Sequence, residues 1–331
     1  MSAARDGRDA PALLAAVRCG DTLAIARAIT AIENETFLGV ELGLHLGGSN
    51  DHCRTLGVTG PPGAGKSSLI NALVGELQPG HKRIGILTVD PSSPVSGGAV
   101  LGDRVRMAAH SANSDVFIRS LATRGHLGGV TRTTRVVIDL LAAGGMDLVI
   151  VETVGTGQSE VEVAAMTDVK IVVCAPGLGD EMQAIKAGVL EVADLIVVNK
   201  SDLPDADRTA NYLKAMLHHR GHDETRVALK VSTLNRDGLA ALAEAIETRF
   251  AVPHSGASHA TPRDYDPRLR LADEAAALVA AFVRDRGDPR LAEIVGQVSR
   301  GEITRSAAAT EAIRLFDTRS VAGQATLGSK I

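Results

Sequence analysis

The sequence predicts an α/β fold: a doubly wound, mostly parallel sheet flanked by an N-terminal helical segment and a C-terminal helical extension. Three observations predict it. Between residues 55 and 250, short apolar runs alternate with stretches of helical period, which is the pattern of βαβ units. The runs are continuously apolar, as in parallel strands covered by helices on both faces. A glycine-rich turn at residues 60–67 joins the first run to a helical stretch, at a carboxyl strand end where such folds hold ligands.

The elements follow in chain order. Over residues 11–46, Leu13, Leu14, Val17, Leu23, Ile25, Ile29 and Ile32 recur at helical spacing. Gly20-Asp21 interrupts them, predicting two helices with Asp21 as the second N-cap. Strands are predicted over 55–59, 84–89, 116–119, 148–152, 170–174, 195–199 and 227–232. Asp90, Glu152, Asn199 and Ser232 fall at their carboxyl ends. Residues 253–267 change to Pro, Ser, His, Gly and Asp, a linker composition. Two Ala- and Leu-rich helices are expected over 269–285 and 290–316, split by Gly287-Asp288-Pro289, with a loose tail from Thr318. The domain reading is a helical segment over 1–50, a nucleotide-binding domain over 51–252, and a linker with a helical arm over 253–331.

Composition bounds the function. The 331 residues are 45% apolar and 22% charged, a globular balance long enough for two or three domains. Aromatics are 2% and Trp is absent, so the core must be aliphatic. A net charge of −4 argues against a nucleic-acid partner. Cys19, Cys53 and Cys174 are scattered, with no disulfide or zinc pattern. No apolar run reaches the ~18–20 residues of a membrane span, and the first residues lack the apolar stretch of a signal peptide. A cytoplasmic protein without membrane or nucleic-acid partners is expected.

The chemistry lies in the motifs. Gly60-Pro61-Pro62-Gly63-Ala64-Gly65-Lys66-Ser67 is a complete G-x-x-x-x-G-K-[ST] loop between a strand and a helix that continues through Ser68. Its glycines let backbone N–H groups wrap a phosphate at the positive end of the helix. Lys66 reaches the β- and γ-phosphates, and the Ser67 hydroxyl can ligate Mg²⁺. Asn199-Lys200-Ser201-Asp202 is an N-K-x-D motif at a strand end. A buried Asp202 carboxylate would accept from guanine N1–H and N2–H₂, donors that adenine lacks; left unpaired it costs about 1–3 kcal/mol. Asn199 supports the loop, the Lys200 stem covers the base face, and Ser232-Thr233 lies where a backbone N–H meets guanine O6. These motifs select GTP over ATP.

In Glu152-Thr153-Val154-Gly155 a strand-end carboxylate is followed by Gly. Glu152 can bind a metal-coordinated water and Gly155 can bring its N–H to a γ-phosphate. A solvated strand-end Glu is the alternative. Asp90 opens a Pro-Ser-Ser-Pro loop and Asp103 follows in Leu101-Gly102-Asp103. Two carboxylates on such a loop suit a hard cation, though both also suit turn capping. No Gln directly follows Gly155; Gln158 is the nearest candidate to position water, and it equally suits a helix cap.

Together with Arg124-Gly125-His126-Leu127-Gly128-Gly129, the 176–181 segment and Ile185-Lys186-Ala187-Gly188, these motifs resemble the MeaB family of P-loop GTPases, also called ArgK or MMAA. The resemblance covers the whole central domain. It implies a GTPase chaperone, binding GTP or GDP with Mg²⁺, that gates cobalamin loading and protects an adenosylcobalamin-dependent acyl-CoA mutase. Methylmalonyl-CoA mutase is the usual client, with isobutyryl-CoA or 2-hydroxyisobutyryl-CoA mutase as alternatives. Lys66, Glu152 and Gln158 are the expected catalytic residues. The resemblance further implies a homodimer through the C-terminal arm, Lys66 and Ser67 serving phosphate and metal with Asp90, Asp103 and Glu152 around the ion, and a partner-sensing switch containing Asp180, Glu181 and Lys186. From its residues alone, that last segment reads equally as a Gly-rich loop with a solvated charged face. A metal-delivery GTPase and an ATP-dependent kinase are the competing functions.

Overall fold

The computed structural model describes residues 9–46, 52–90, 113–122, 129–153, 166–177, 193–219, 228–252, 267–284 and 288–325. Contacts within the chain define two compact units. One comprises residues 15–25 and 48–261, the other residues 1–14, 26–47 and 262–331.

The first unit is built on seven strands: β1 (Arg54–Thr59), β2 (Ile84–Asp90), β3 (Val116–Ala122), β4 (Leu148–Thr153), β5 (Val169–Cys174), β6 (Leu195–Val198) and β7 (Ala228–Lys230). They form one sheet in the order β3-β2-β4-β1-β5-β6-β7, and every neighbouring pair is parallel. β1 lies between β4 and β5, so the chain winds outward in both directions from the centre. The crevice at the carboxyl end of β1 is therefore the binding position of this topology.

Strand alternation sends Leu56, Val58, Ile84, Ile86, Ile150 and Ile171 to one face. There they pack with Leu69, Leu73 and Leu77 of α4 (Lys66–Leu77) and Leu239, Leu242 and Ile246 of a later helix, Leu239–Ala251. The opposite face takes Val172, Cys174, Ile196 and Val198 against Ala210 and Leu213 of a helix over Ala206–His219. A helix over Gly129–Ala143 packs on β4. In chain order these three helices are α5 (Gly129–Ala143), α6 (Ala206–His219) and α7 (Leu239–Ala251). Cover on both faces is why the strands read as unbroken apolar runs.

The expected pair of N-terminal helices is three: α1 (Ala10–Arg18), α2 (Thr22–Glu33) and α3 (Phe37–His45). Asp21 does cap α2, its Oδ1 accepting from Leu23 N and Ala24 N at 2.8 and 3.1 Å. The extra break falls at Glu35, held at φ 46°, after which Thr36 caps α3 by accepting from Gly39 N.

The second unit contains α3, α8 (Pro267–Arg284), α9 (Pro289–Ser299) and α10 (Arg305–Ala325). Phe282 of α8 packs edge-on against Phe316 of α10 at 5.5 Å, with Leu291 and Ala312 completing the cluster. Arg284 also pairs with Glu35. The single helix expected over 290–316 is two. Gly301 at φ 73° stops α9, and Thr304 restarts the chain by accepting from Ala307 N. The tail expected to be loose from Thr318 is helical to Ala325. The linker expected at 253–267 lies almost wholly outside the described residues, α8 beginning at Pro267.

Candidate nucleotide site

The loop from Gly60 to Lys66 is shaped by positions that admit no side chain. Gly60 stands at φ 144°, where a Cβ would sit 2.1 Å from the Val173 carbonyl oxygen. Gly65, at φ 87°, would place one 2.5 Å from Asn199 Nδ2. Glycine alone meets both demands, left-handed backbone and close approach. Gly65 is also the N-cap of α4 and supplies no side-chain cap, so the first turn of α4 directs its N–H groups into the loop, a ready anion site. Ala64 is buried, Pro62 and Gly63 lie at the exposed crest, and Ser68 is on the exposed side of α4.

Lys66 is buried, and its Nζ donates to the carbonyls of Gly60 and Pro61 at 2.8 and 3.1 Å. The ammonium thus rests across the mouth of its own loop. Buried Ser67 donates from Oγ to Glu152 Oε1 at 2.7 Å. Glu152 reaches it because β4 lies beside β1, with Glu152 paired to Val58, on the sheet face that carries α4. Two buried oxygen groups in contact are the donor type that hard divalent cations take. The backbone of Asp90 closes β2 opposite Ala122 of β3. Asp103, Gly155, Gln158, Asp180, Glu181 and Lys186 lie outside the described residues.

The guanine motif is stitched to the same loop. Asn199, fully buried, donates from Nδ2 to the carbonyls of Ala64 and Gly65 at 2.9 and 3.4 Å. Lys200 Nζ donates to Gly63 O at 2.8 Å. Lys200 sits at φ 56°, a costly conformation for a residue with a side chain, of the kind that accumulates at functional sites. Asp202 is exposed, not buried as the discrimination argument supposed.

Ser232 plays a different part from the expected one. Its N–H donates to Asp237 O at 3.0 Å, so it is not free for guanine O6. Its hydroxyl donates to Asp202 Oδ1 at 2.5 Å and accepts from Asn235 N at 3.2 Å. Ser232 thus aims the carboxylate and shapes the loop. That leaves the neighbouring Thr233 N–H, which makes no hydrogen bond among the described residues.

One contact had no sequence signal. Arg236 Nη2 pairs with Glu76 Oε1 at 2.8 Å, tying the 232–237 loop to the helix that begins with Lys66. Its partners are 160 residues apart, and neither belongs to a motif.

Among the described residues, no group of three or more His, Cys, Asp or Glu is gathered as a metal site, and no helix is long and apolar enough to cross a membrane.

A family profile described as methylmalonyl Co-A mutase-associated GTPase MeaB matches residues 25–285. A relative from Pyrococcus abyssi is 45% identical over 197 residues, 60% of this chain and 61% of its own length. The GTPase ArgK of Escherichia coli is 40% identical over 254 residues, 72% of this chain and 76% of its own. The solved structure of a LAO/AO transport system kinase is similar over 95% of this chain and 100% of its own, at 26% identity and a TM-score of 0.62.

Proposed function

The chain belongs to the MeaB family of GTPases, and from that premise we propose that it hydrolyses GTP to GDP and phosphate as the chaperone of an adenosylcobalamin-dependent acyl-CoA mutase. The observation that carries the nucleotide reading is the pair of bonds from Asn199 Nδ2 to the carbonyls of Ala64 and Gly65. They make the base-reading segment and the phosphate loop a single site. Methylmalonyl-CoA mutase is the proposed client, supported by the description of the matching family. A related acyl-CoA mutase is the alternative.

Residues 51–252 form the hydrolytic domain in this reading, and residues 253–331 carry the arm through which two copies associate. The protein works in the cytoplasm.

The phosphate loop wraps the β-phosphate with backbone N–H groups, while Lys66 leaves the carbonyls of Gly60 and Pro61 for the phosphate oxygens. Its charge, with the loop amides, stabilises the oxygens as water attacks the γ-phosphate in line. Ser67 and Glu152 fit a Mg²⁺ ion, with Asp90 and Asp103 completing its surroundings. When bound, the ion neutralises charge developing on the β- and γ-oxygens. Asp202, aimed by Ser232, accepts from guanine N1–H and N2–H₂, and Thr233 N–H donates to O6. Gly155 approaches the γ-phosphate. Gln158 orients the attacking water, and Asp180, Glu181 and Lys186 report the nucleotide state to the mutase.

The kinase named in the similar solved structure suggests a second reading, an ATP-dependent phosphotransferase. Calorimetry with GDP and ADP separates the two: GDP binds at least about 100-fold tighter if Asp202 reads guanine, since hydrogen bonds to a charged group contribute about 1.5–3 kcal/mol each. Equal affinities would remove the GTPase assignment. Turnover measured with and without purified acyl-CoA mutases tests the chaperone role, and a rate unchanged by each of them would remove it.

A further inference from the structure

One row of the sheet is out of keeping with its surroundings. On the face opposite α4, strand register aligns Val172 of β5 with Thr59 of β1, and Thr153 of β4 with Val89 of β2 and Leu121 of β3. Thr59 and Thr153 are themselves neighbours, one residue beyond the paired Val58 and Glu152. All five side chains are buried. Three are aliphatic, and the central two carry hydroxyls that find no hydrogen-bond partner among the described residues.

Valine has the shape of threonine and would continue the row without a polar atom. Each buried hydroxyl left unpaired lowers the folding constant several-fold. Two side by side form a polar spot flanked along the row by apolar groups, and a water molecule bonded to both would satisfy them at once.

We propose that Thr59 and Thr153 together bind one buried water, and that this water is a positioning element of the nucleotide site. Thr59 immediately precedes Gly60, and Thr153 immediately follows Glu152. A ligand shared by the two hydroxyls links the start of the phosphate loop to the strand end that presents the carboxylate to Ser67. The start of the phosphate loop is thereby held in step with β4, and the distance from Ser67 to Glu152 is set from the opposite face of the sheet. Its bearing on catalysis rests on the reading of Glu152 as a metal-site carboxylate; the water itself does not.

The test is a double-mutant cycle on the full chain with Thr59→Val, Thr153→Val and the pair, read by urea unfolding. A shared water predicts that each single change lowers the folding constant about fivefold or more, and that the pair loses no more than either single variant. Single variants that are each more stable, or losses that multiply in the pair, would overturn it. A high-resolution crystal structure should show density within hydrogen-bonding distance of both Oγ1 atoms; an empty spot there also overturns it.

The positioning role has its own readout. The Mg²⁺ concentration for half-maximal GTP hydrolysis should rise several-fold in each Val variant and return in Thr59→Ser and Thr153→Ser. An unchanged Mg²⁺ dependence beside a coupled stability cycle would refute positioning. Absence of GTP hydrolysis in the unmodified chain would count against the proposed function while the stability cycle still decides the water.

Discussion

At the scale of single residues, base choice in the proposed reading rests on a carboxylate that water can reach. Asp202 is exposed and held by one hydroxyl, that of Ser232. Replacing it with Asn keeps the shape but exchanges one acceptor oxygen for a donating NH₂. Guanine then meets a donor where its own donor points, whereas xanthine carries a carbonyl at that ring position. Asp202→Asn should weaken GDP binding by at least about tenfold and favour xanthosine diphosphate over GDP; unchanged GDP affinity would show that Asp202 does not read the base. Lys66 makes the matching case at the phosphates. Its buried ammonium already rests on two loop carbonyls, so Lys66→Ala should lower GTP turnover by about 100-fold or more, measured as phosphate release. Lys66, Ser67, Asn199 and Asp202 were legible in the sequence because a short motif names each of them. The Ser232 hydroxyl bond and the Arg236–Glu76 pair were not. Such contacts join residues 30 and 160 positions apart, and nothing local records them.

At the scale of elements, the strands were the most legible part, because a central parallel strand writes itself as an unbroken apolar run. The helices were less so. Their apolar period continues across Glu35 and Gly301, while the chain turns at each through one left-handed residue. A period reports which face is buried and says little about where a helix stops. Caps do say so, and Asp21 was readable for that reason. Its Oδ1 serves two otherwise unpaired N–H groups at the start of α2. Asp21→Ala should cost about 1 kcal/mol of stability in urea unfolding, while Asp21→Asn, which retains an acceptor, should cost much less. Equal losses would assign the effect to charge and not to capping. The phosphate loop joins this scale to the site. A helix begun by a left-handed glycine has no capping side chain on its first turn, and the N–H groups so left are what suits it to an anion.

At the scale of the whole molecule, scarcity of aromatic residues leaves an aliphatic interior, and one thiol is enclosed within it. Cys174, at the carboxyl end of β5, packs among Val172, Ile196, Val198 and Leu213. Burial pushes its thiol up to about 12, against an ordinary value of about 8.5. The unfolded chain therefore releases this proton above about pH 8.5 while the folded chain keeps it until about pH 12. Ionisation favours the unfolded state throughout that window. Stability attributable to the protonated thiol is complete below it and declines by about 1.4 kcal/mol per pH unit as alkalinity rises. Cys53 is also raised to about 12, first by burial and then by Asp168, Asp147 and Asp139, so it adds to the same decline. A Cys174→Ala variant loses packing at every pH but has no thiol to ionise at that position. Its deficit relative to the parent chain, taken from urea unfolding at pH 7.5, 9 and 10, should shrink at each step, by about 1 kcal/mol or more in all by pH 10. Because other titrating groups are common to both chains, they cancel in the difference. A deficit that stays fixed across the series would mean that the thiol ionises as readily folded as unfolded, and that solvent reaches the end of β5, where the Cys174 carbonyl accepts from Asn199 N.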